Sequence, residues 1–298
     1  MANTIDWGQG AANNTIGWGK GKTNATNNWG SIYDSTAAGE TNITGSGGGA
    51  VDPDAQAFIT AASITDPTQQ SAINQLVVDL KGYSIWSKMK ALYPFVGGTA
   101  TSHSFNLINP SQFQISWSGG VTHSTNGVLF GGVNGYGNTG YNLSTNSTAN
   151  NVSAGTYSRT NAITSGAFFG AVNSFFVGTQ LTPKFTDNNT YYGTNDYVVD
   201  GSGNFVTDTR GFFIVTRVNS TNKSVYRNGT QISTSITFYN FAPNLNIYLG
   251  ARNINGTANN FDSREHSLDY IGDLLTGTEI ANFYTAVQAF QTALNRNV

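Results

Sequence analysis

The chain contains no cysteine among its 298 residues. That excludes disulfide staples, thiolate nucleophiles and Cys-ligated metals, so rigidity must come from packing and hydrogen bonds. Charge is nearly as scarce. Asp, Glu, Lys and Arg make up 10% of the sequence, against about 25% in ordinary soluble proteins. The 14 basic and 16 acidic residues leave a net charge of −2, with no block of either sign. Strong electrostatic attraction to nucleic acid or to anionic membranes is therefore not expected. No run approaches the roughly 18 apolar residues of a spanning helix, so membrane insertion is not expected. The N-terminus, Met1-Ala2-Asn3-Thr4-Ile5-Asp6-Trp7, has neither a basic nor an apolar leader region, so no secretory signal is expected.

What is abundant is glycine, with 35 copies, together with Asn, Thr and Ser. These residues favour turns and short strands over long helices. The chain is long enough to bury a core in one large domain or two smaller ones. Its start is different in character. Trp7-Gly8, Trp18-Gly19 and Trp29-Gly30 recur every eleven residues, and Gly45-Ser46-Gly47-Gly48-Gly49 closes the segment. A buried indole removes about 150–250 Å² from water, worth roughly 4–6 kcal/mol. Fixing backbone costs about 1–2 kcal/mol per residue. Three indoles therefore cannot order these first 44 residues alone. Residues 1–50 are read as an extended arm and glycine linker, with Trp7, Trp18 and Trp29 docking on a partner. An arm lying on its own body or a sister subunit, and plain disorder, are the competing readings. Lys20 and Lys22 are too few for a nucleic-acid arm.

Residues 51–98 read as a short helical segment. Asp52-Pro53-Asp54 and Asp66-Pro67-Thr68-Gln69-Gln70 are helix starts. Ile73, Leu76, Val77 and Leu80 form one apolar stripe at helical spacing, and Gly82 closes it. Ile85, Trp86, Met89 and Leu92 predict a third short helix ending before Pro94. Residues 99–298 read as β-structure closed by a helix. Candidate strands cover 105–108, 112–117, 127–130, 167–177, Tyr191-Tyr192, Tyr197-Val198-Val199, 211–218, 246–252 and 266–271. The 211–218 run is almost continuously apolar, which predicts burial on both faces. Asn228-Gly229 between two strand-like runs is the strongest hairpin signal in the chain. Thr276-Gly277-Thr278-Glu279 is a capping box, followed by an apolar face of Ile280, Phe283, Tyr284, Val287 and Leu294. Short strands separated by turn signals predict a mainly β fold, an antiparallel sandwich or jelly roll with a C-terminal helix.

The hairpin Ser224-Val225-Tyr226-Arg227-Asn228-Gly229-Thr230-Gln231-Ile232 carries a resemblance, with Ile247-Tyr248-Leu249-Gly250-Ala251-Arg252, Tyr270-Ile271-Gly272-Asp273 and Phe283 to Phe290. These runs resemble the laminin-G-like, concanavalin-type jelly rolls of bacteriophage structural proteins. Phe58 to Ala62 through Tyr93 to Gly98, and the Trp-Gly arm, are similar to fibre proteins of phages that infect Bacteroidetes, crAss-like phages included. The resemblance implies a homotrimeric virion fibre or decoration protein at the virion surface. Its N-terminal arm would be anchored to capsid or tail proteins, and its jelly roll would face host-surface glycans. It also admits Ca2+, since related jelly rolls hold that ion with loop carboxylates and carbonyls. Asp187, Asp196, Asp200 and Asp208 are the candidates, with solvated loop aspartates as the competing reading. No other cofactor is implied.

Catalysis finds little support. A glycosidase needs two carboxylates about 5–9 Å apart across the scissile bond, and no Glu-x-Asp-x-Glu type strand exists. Asp262, Glu265 and Asp269, beside Arg264 and His266, read as surface pairs or a turn. His103, His123 and His266 have no metal-like spacing. The glycine-rich 131–137 run reads as a loop, with no Lys-Ser/Thr to make it a phosphate cradle. Tyr136, Tyr141, Tyr191, Tyr192 and Tyr197 stand among Asn and Gly in loop-like segments. Their rings suit sugar contact, and half-buried packing is the equal alternative. A carbohydrate-binding module of a secreted bacterial protein is the alternative function, and a glycan depolymerase a third.

Overall fold

The computed structural model describes residues 32–34, 41–43, 50–201, 206–236 and 239–298, with backbone alone for 32–34, 41–43 and 199–201. Trp7, Trp18 and Trp29 lie outside the described residues. Within the first unit, Met1–Val51, strand β1 (Ile32–Asp34) pairs antiparallel with β2 (Thr41–Ile43). The remainder concerns the second unit, Asp52–Val298.

Both proline-led starts fold as helices. In α1 (Pro53–Ala61) the Asp52 side chain accepts from Asp54 N at 3.0 Å, and in α2 (Pro67–Gly82) Asp66 accepts from Gln69 N at 2.9 Å. Lys81, near the end of α2, reaches back to Asp52 and Asp54 at 2.6 Å each and ties the two helices together. The expected third helix is instead a single 3-10 turn, Trp86–Lys88, followed by strand β3 (Met89–Tyr93). Met89 and Leu92 do share a side, but Ala91 and Tyr93 are buried on the other. A strand buried on both faces satisfies all four; a helix at this place would not.

Then follow α3 (Ala100–Ser104), β4 (Ser116–Ser118), β5 (Thr122–Ser124), β6 (Gly127–Leu129), β7 (Tyr136–Asn142) and α4 (Leu143–Asn146). Next are β8 (Ser153–Ser158), β9 (Phe169–Val172), β10 (Val177–Thr182), β11 (Thr190–Tyr197) and β12 (Val199–Gly201). The chain continues with β13 (Gly211–Arg217), β14 (Asn222–Arg227), β15 (Thr230–Ile236), β16 (Asn246–Leu249), β17 (Arg252–Ile254), β18 (Thr257–Asn259), β19 (Glu265–Gly272) and α5 (Gly277–Ala293). Residues 105–108, expected as a strand, are irregular. The Asn106 side chain takes the place of a ladder partner, accepting from Leu92 N at 2.9 Å and donating to the Lys90 carbonyl at 3.1 Å.

Two sheets face each other. The front sheet runs β12-β11-β10-β9-β16-β7-β4, with the β17–β18 hairpin beside β9. The back sheet runs β15-β14-β13-β8-β19-β6-β5, with β3 beside β19. Pairing is antiparallel throughout except where β17 runs parallel to β9. This is the expected mainly β sandwich with a C-terminal helix. Asn228 and Gly229 both take positive φ, 50° and 77°, in the turn joining β14 to β15, as that dipeptide predicts.

The back sheet is buried on both sides. Phe213, Val215, Val225 and Ile271 meet Phe169, Leu181, Ile247 and Leu249 of the front sheet. Phe212, Ile214, Leu268 and Tyr270 point the other way, onto α1, α2 and α5. This is why 211–217 is apolar at nearly every position. The Thr276 capping box is formed, with Glu279 N donating to Thr276 Oγ1 and Thr276 N to Glu279 Oε2. Helices thus cover the back sheet, and the outer face of the front sheet carries no helix layer among the described residues. No helix there is long and apolar enough to cross a membrane.

Candidate functional site

Strand alternation sorts the five candidate tyrosines, all of which lie in strands and not in loops. Tyr136 and Tyr141, five apart on β7, point to opposite faces. Tyr141 is buried between the sheets and donates to the Asn146 carbonyl at 2.7 Å. Tyr192 is likewise buried, its hydroxyl 2.9 Å from Ser233 Oγ of the back sheet. Burial raises both phenol pKa values. These two belong to the core and cannot touch a ligand. Tyr136 lies on the outer face and stacks on Tyr248 at 4.7 Å, beside an Asn246–Asn138 amide contact of 3.3 Å. Tyr191 donates to Asp187 at 2.6 Å, with its ring edge on Phe185. Tyr197 ends β11 and meets Tyr239 edge-on at 4.6 Å.

Tyr197 belongs to a larger aromatic rim. Phe175, Phe176, Tyr239 and Phe241 are 71, 47, 49 and 50% exposed. The β9–β10 turn that carries the two phenylalanines is fixed by Asn173, whose side chain accepts from Phe175 N at 2.9 Å and Val177 N at 3.0 Å. Phe176 has φ of 57°, a left-handed conformation that is costly for an aromatic residue. Its carbonyl accepts from Val198 N at 2.9 Å, and Val177 is the register partner of Tyr197. The segment after β15 joins the same edge, with Phe241 N donating to the Asn195 carbonyl at 3.1 Å and Tyr239 N to Asp196 Oδ1 at 2.6 Å.

Beneath the rim lies a buried ionic cluster. Asp196, Lys223 and Arg217 are all fully buried. Lys223 Nζ donates to Asp196 Oδ2 at 2.7 Å and also to the Tyr197 carbonyl. Arg217 lies 3.9 Å from Asp196 Oδ2 and donates to the carbonyls of Thr194 and Tyr239 at 3.0 and 3.1 Å. Burial pushes Lys223 and Arg217 below their ordinary pKa values, against the pull of Asp196. The Thr194 and Tyr197 carbonyls belong to β11 and the Tyr239 carbonyl and amide to the chain after β15, so the cluster ties these two segments together at one edge.

Asp196, proposed as a solvated or calcium-binding loop residue, is therefore neither: it sits in β11 as the counter-ion of Lys223. Asp208 pairs with Arg210 at 2.9 Å, and Asp187 accepts from Tyr191 and Asn189. The side chain of Asp200 lies outside the described residues. Among the described residues no group of three or more His, Asp or Glu could hold a metal ion.

Asp262, Arg264, His266 and Asp269, expected at the surface, are fully buried. A register shift in β19 between His266 and Leu268 leaves Ser267 unpaired, so His266 and Asp269 share the inner face. His266 Nδ1 lies 3.0 Å from Asp269 Oδ2, and Nε2 lies 3.0 Å from Asp262 Oδ2. Burial alone would lower the His266 pKa; the two carboxylates outweigh it and hold it at about 9. His103 and His123, distant in sequence, meet at 3.0 Å through their Nδ1 atoms. Burial drives both pKa values down, that of His103 to about 3, so this pair is neutral packing against Phe95 and Trp117.

The rim was only partly legible. Phe175 and Phe176 sat inside a run read as one strand, although Asn173-Ser174 marks a turn there. Tyr239 and Phe241 carried no sequence signal.

No family of known proteins matches the chain, and no curated protein does. Solved structures do. Botulinum neurotoxin type C, described as entering cells through interaction with two ganglioside molecules, superposes with a TM-score of 0.50 at 16% identity, over 69% of this chain and 52% of that one. Domain 4 of AbnA, a GH43 extracellular arabinanase from Geobacillus stearothermophilus in complex with arabinotriose, gives 0.40 at 18% identity, over 66% and 98%. The binding domain of botulinum neurotoxin serotype D gives 0.42 at 15%, over 68% and 52%. The chain thus spans about half the length of the neurotoxin structures. The type C neurotoxin match shows that the two share a β-sandwich fold.

Proposed function

We propose that this chain is a non-catalytic adhesion module that grips glycans with the rim of Phe175, Phe176, Tyr197, Tyr239 and Phe241. The observation that carries the reading is the convergence of these rings, four of them 47–71% exposed, on one edge of the front sheet, where a buried ionic cluster pins the backbone of Tyr197 and Tyr239 and Asn173 fixes the turn of Phe175 and Phe176. Exposed apolar clusters on rigid supports mark binding sites. Sugars offer C–H faces to rings and hydroxyls to amides, and Asn173 and Asn240 border these rings in sequence. The type C neurotoxin, which shares the sandwich, is described as depending on interaction with ganglioside molecules, which carry glycans. The absence of catalysis is supported by the carboxylates. From Asp52 onward, each one whose side chain is described already has a hydrogen-bond or ion partner. A hydrolase needs a pair of them about 5–9 Å apart across the scissile bond, and no described strand carries a Glu-x-Asp-x-Glu type run.

The test is binding of the chain to immobilised glycans, with Phe176→Ala and Tyr239→Ala each lowering affinity about tenfold at unchanged melting temperature, in keeping with aromatic hot spots. Full affinity in the double variant would remove the rim from the site. Release of oligosaccharide from a bound glycan would overturn the non-catalytic part.

The Trp-Gly arm extends this reading to a homotrimeric bacteriophage fibre or decoration protein, anchored to capsid or tail at the virion surface. What supports it is the estimate that three buried indoles do not offset the backbone cost of ordering the first 44 residues, together with the sequence resemblance to phage fibres. Changing Trp7, Trp18 and Trp29 to Ala should leave the Asp52–Val298 unit folded and abolish incorporation into particles. Normal incorporation, or a stable monomer by native mass measurement, counts against it. Glycan binding without particle association would favour a secreted bacterial module.

A further inference from the structure

The rim is one part of a larger apolar end. Val218, the residue after β13, is 41% exposed, and Ile236, the last of β15, is 64% exposed. The two are neighbours: Ile236 is the register partner of Asn222, whose carbonyl accepts from Val218 N at 2.9 Å. Arg217, next to Val218, donates to the Tyr239 carbonyl, and Lys223, next to Asn222, donates to Asp196 beside Tyr197. Both aliphatic side chains therefore lie at the same end of the sandwich as the rim. They have no ring face for a sugar C–H and no atom for a sugar hydroxyl, so glycan binding gives no account of them.

Charge is distributed unevenly between the two ends. Residues 143–152 join the rim end through Asn195, which donates to Ser147 Oγ and to the Thr148 carbonyl at 3.1 Å each. Together with 173–176, 218–221 and 239–245 they contain no Asp, Glu, Lys or Arg, and Asn, Ser and Thr supply most of their polar groups. Asp196, Arg217 and Lys223 lie beneath and are fully buried. The connections at the opposite end carry Arg159, Lys184, Asp187, Asp208 and Arg210. The exposed apolar side chains of the rim end stand on three separate connections, β9–β10, β13–β14 and β15–β16, and not along one strand or helix. A patch of this kind marks either a protein or a membrane contact. Protein interfaces are enriched in Arg, and these segments have none. Apolar side chains projecting from turns, set among neutral amides and hydroxyls, match the boundary between lipid headgroups and acyl chains, where rings and aliphatic groups are buried and polar groups stay wet.

We infer that this end docks on the interface of an electrically neutral lipid bilayer, with Phe175, Val218 and Ile236 entering the headgroup–acyl boundary. Insertion is shallow, about 5–10 Å, because only turns and side chains leave water. The driving force is apolar burial; with no charge in these segments, anionic headgroups add nothing to it. The inference goes beyond the glycan reading and stands without it. Where both hold, the glycan that Tyr197 and Tyr239 meet is one displayed at a lipid surface.

The experiment sediments the full chain with sucrose-loaded vesicles of phosphatidylcholine, alone or doped with phosphatidylserine, at low and high salt. The chain should partition onto phosphatidylcholine alone, and neither the serine lipid nor salt should change the result. Val218→Asp and Ile236→Asp should each lower partitioning about tenfold, because each puts a charge where apolar surface was buried. Both positions are exposed, so the melting temperature and the affinity for immobilised glycans should stay unchanged. Phe175→Trp should add emission that lipid brominated along its acyl chains quenches. No partitioning onto phosphatidylcholine, partitioning only with phosphatidylserine, full partitioning of the double Asp variant, or an unquenched Trp at 175 overturns the docking and leaves the rim reading to its own test. Self-association of the lipid-free chain that Ile236→Asp abolishes also overturns it, because a second copy then covers the patch.

Discussion

Asp196 faces two buried cations, Lys223 at 2.7 Å and Arg217 at 3.9 Å. The cluster therefore carries one more positive than negative charge before any change is made. Asp196→Asn removes the anion and leaves two cations confronting each other out of water. It keeps Oδ1 as an acceptor for Tyr239 N but can turn an amide N–H toward the Lys223 ammonium. Breaking a buried pair in this way costs about 3–5 kcal/mol, which for a domain of this size lowers the melting temperature by roughly 6–20 °C. Lys223→Met is the milder change. It loses the donors to Asp196 and to the Tyr197 carbonyl, about 1.5–3 kcal/mol, but leaves Arg217 and Asp196 balanced. The order of the two costs is the sharp part. A pH signature follows. The folded-state pKa of Lys223 is already below its ordinary 10.5, and without Asp196 it falls further. A lysine whose folded pKa is depressed penalises the fold below that value, and the penalty is relieved as pH rises toward the unfolded value. The deficit of Asp196→Asn relative to wild type should thus shrink between neutral pH and about pH 10. Urea unfolding of both variants and wild type across that range reads all three quantities. A Lys223→Met deficit as large as that of Asp196→Asn, or a deficit that is flat with pH, would refute the account.

Three further outcomes are expected. His266 is held at about 9 by Asp269 and Asp262; a raised folded pKa stabilises below the unfolded value and loses that stabilisation as pH climbs through 9. Wild-type stability should accordingly fall by an order of 3 kcal/mol between about pH 6.5 and 9.5 in urea titrations, and His266→Gln should lack this fall. Gly155→Ala should prevent folding of the sandwich, judged by near-ultraviolet circular dichroism, because its Cβ would stand 2.4 Å from the Phe213 carbonyl and 2.5 Å from the Tyr270 ring. Phe176→Gly should be neutral or stabilising by up to about 1 kcal/mol in thermal melts, since it relieves the left-handed backbone at 57°, while it weakens glycan binding.

The parts of the fold written in periodicity were legible. The α2 stripe, the doubly buried 211–217 strand, the Asn228-Gly229 turn and the Thr276 box each announce themselves through spacing or a fixed turn chemistry. Strand β8, Ser-Ala-Gly-Thr-Tyr-Ser, did not, although it lies between β13 and β19 at the centre of the back sheet. Its residues are small because backbone and rings approach so closely there, and small polar residues look like loop. Strand β3 was misread because Met89 and Leu92 satisfy a helical spacing as well as a strand buried on both faces. For the tyrosines, identity was informative and phase was not. Only a strand assignment distinguishes Tyr136 outside from Tyr141 inside, and β7 looked like loop because of its glycines and asparagines.

Charge is where the sequence misled most, and the reason is physical. In a chain with 10% charged residues, amides and hydroxyls keep the surface wet, so charges are released from that task. Asp196, Arg217, Lys223, Asp262, Arg264, His266 and Asp269 are all buried, in two clusters that bridge segments far apart in sequence. Each cluster sits where regular pairing is interrupted: β19 at its bulge, and the end of β11 where Asn195 takes φ of 52°. A ladder cannot hold such places, whereas multivalent cations that donate to several carbonyls can. Arg217 alone donates to the carbonyls of Thr194 and Tyr239 and to two asparagine side chains. On this account the exposed rings of the rim and the buried ions beneath them are one device. The ions supply the rigidity that irregular backbone lacks, and the rigidity is what allows large apolar rings to remain in water without collapsing onto the core.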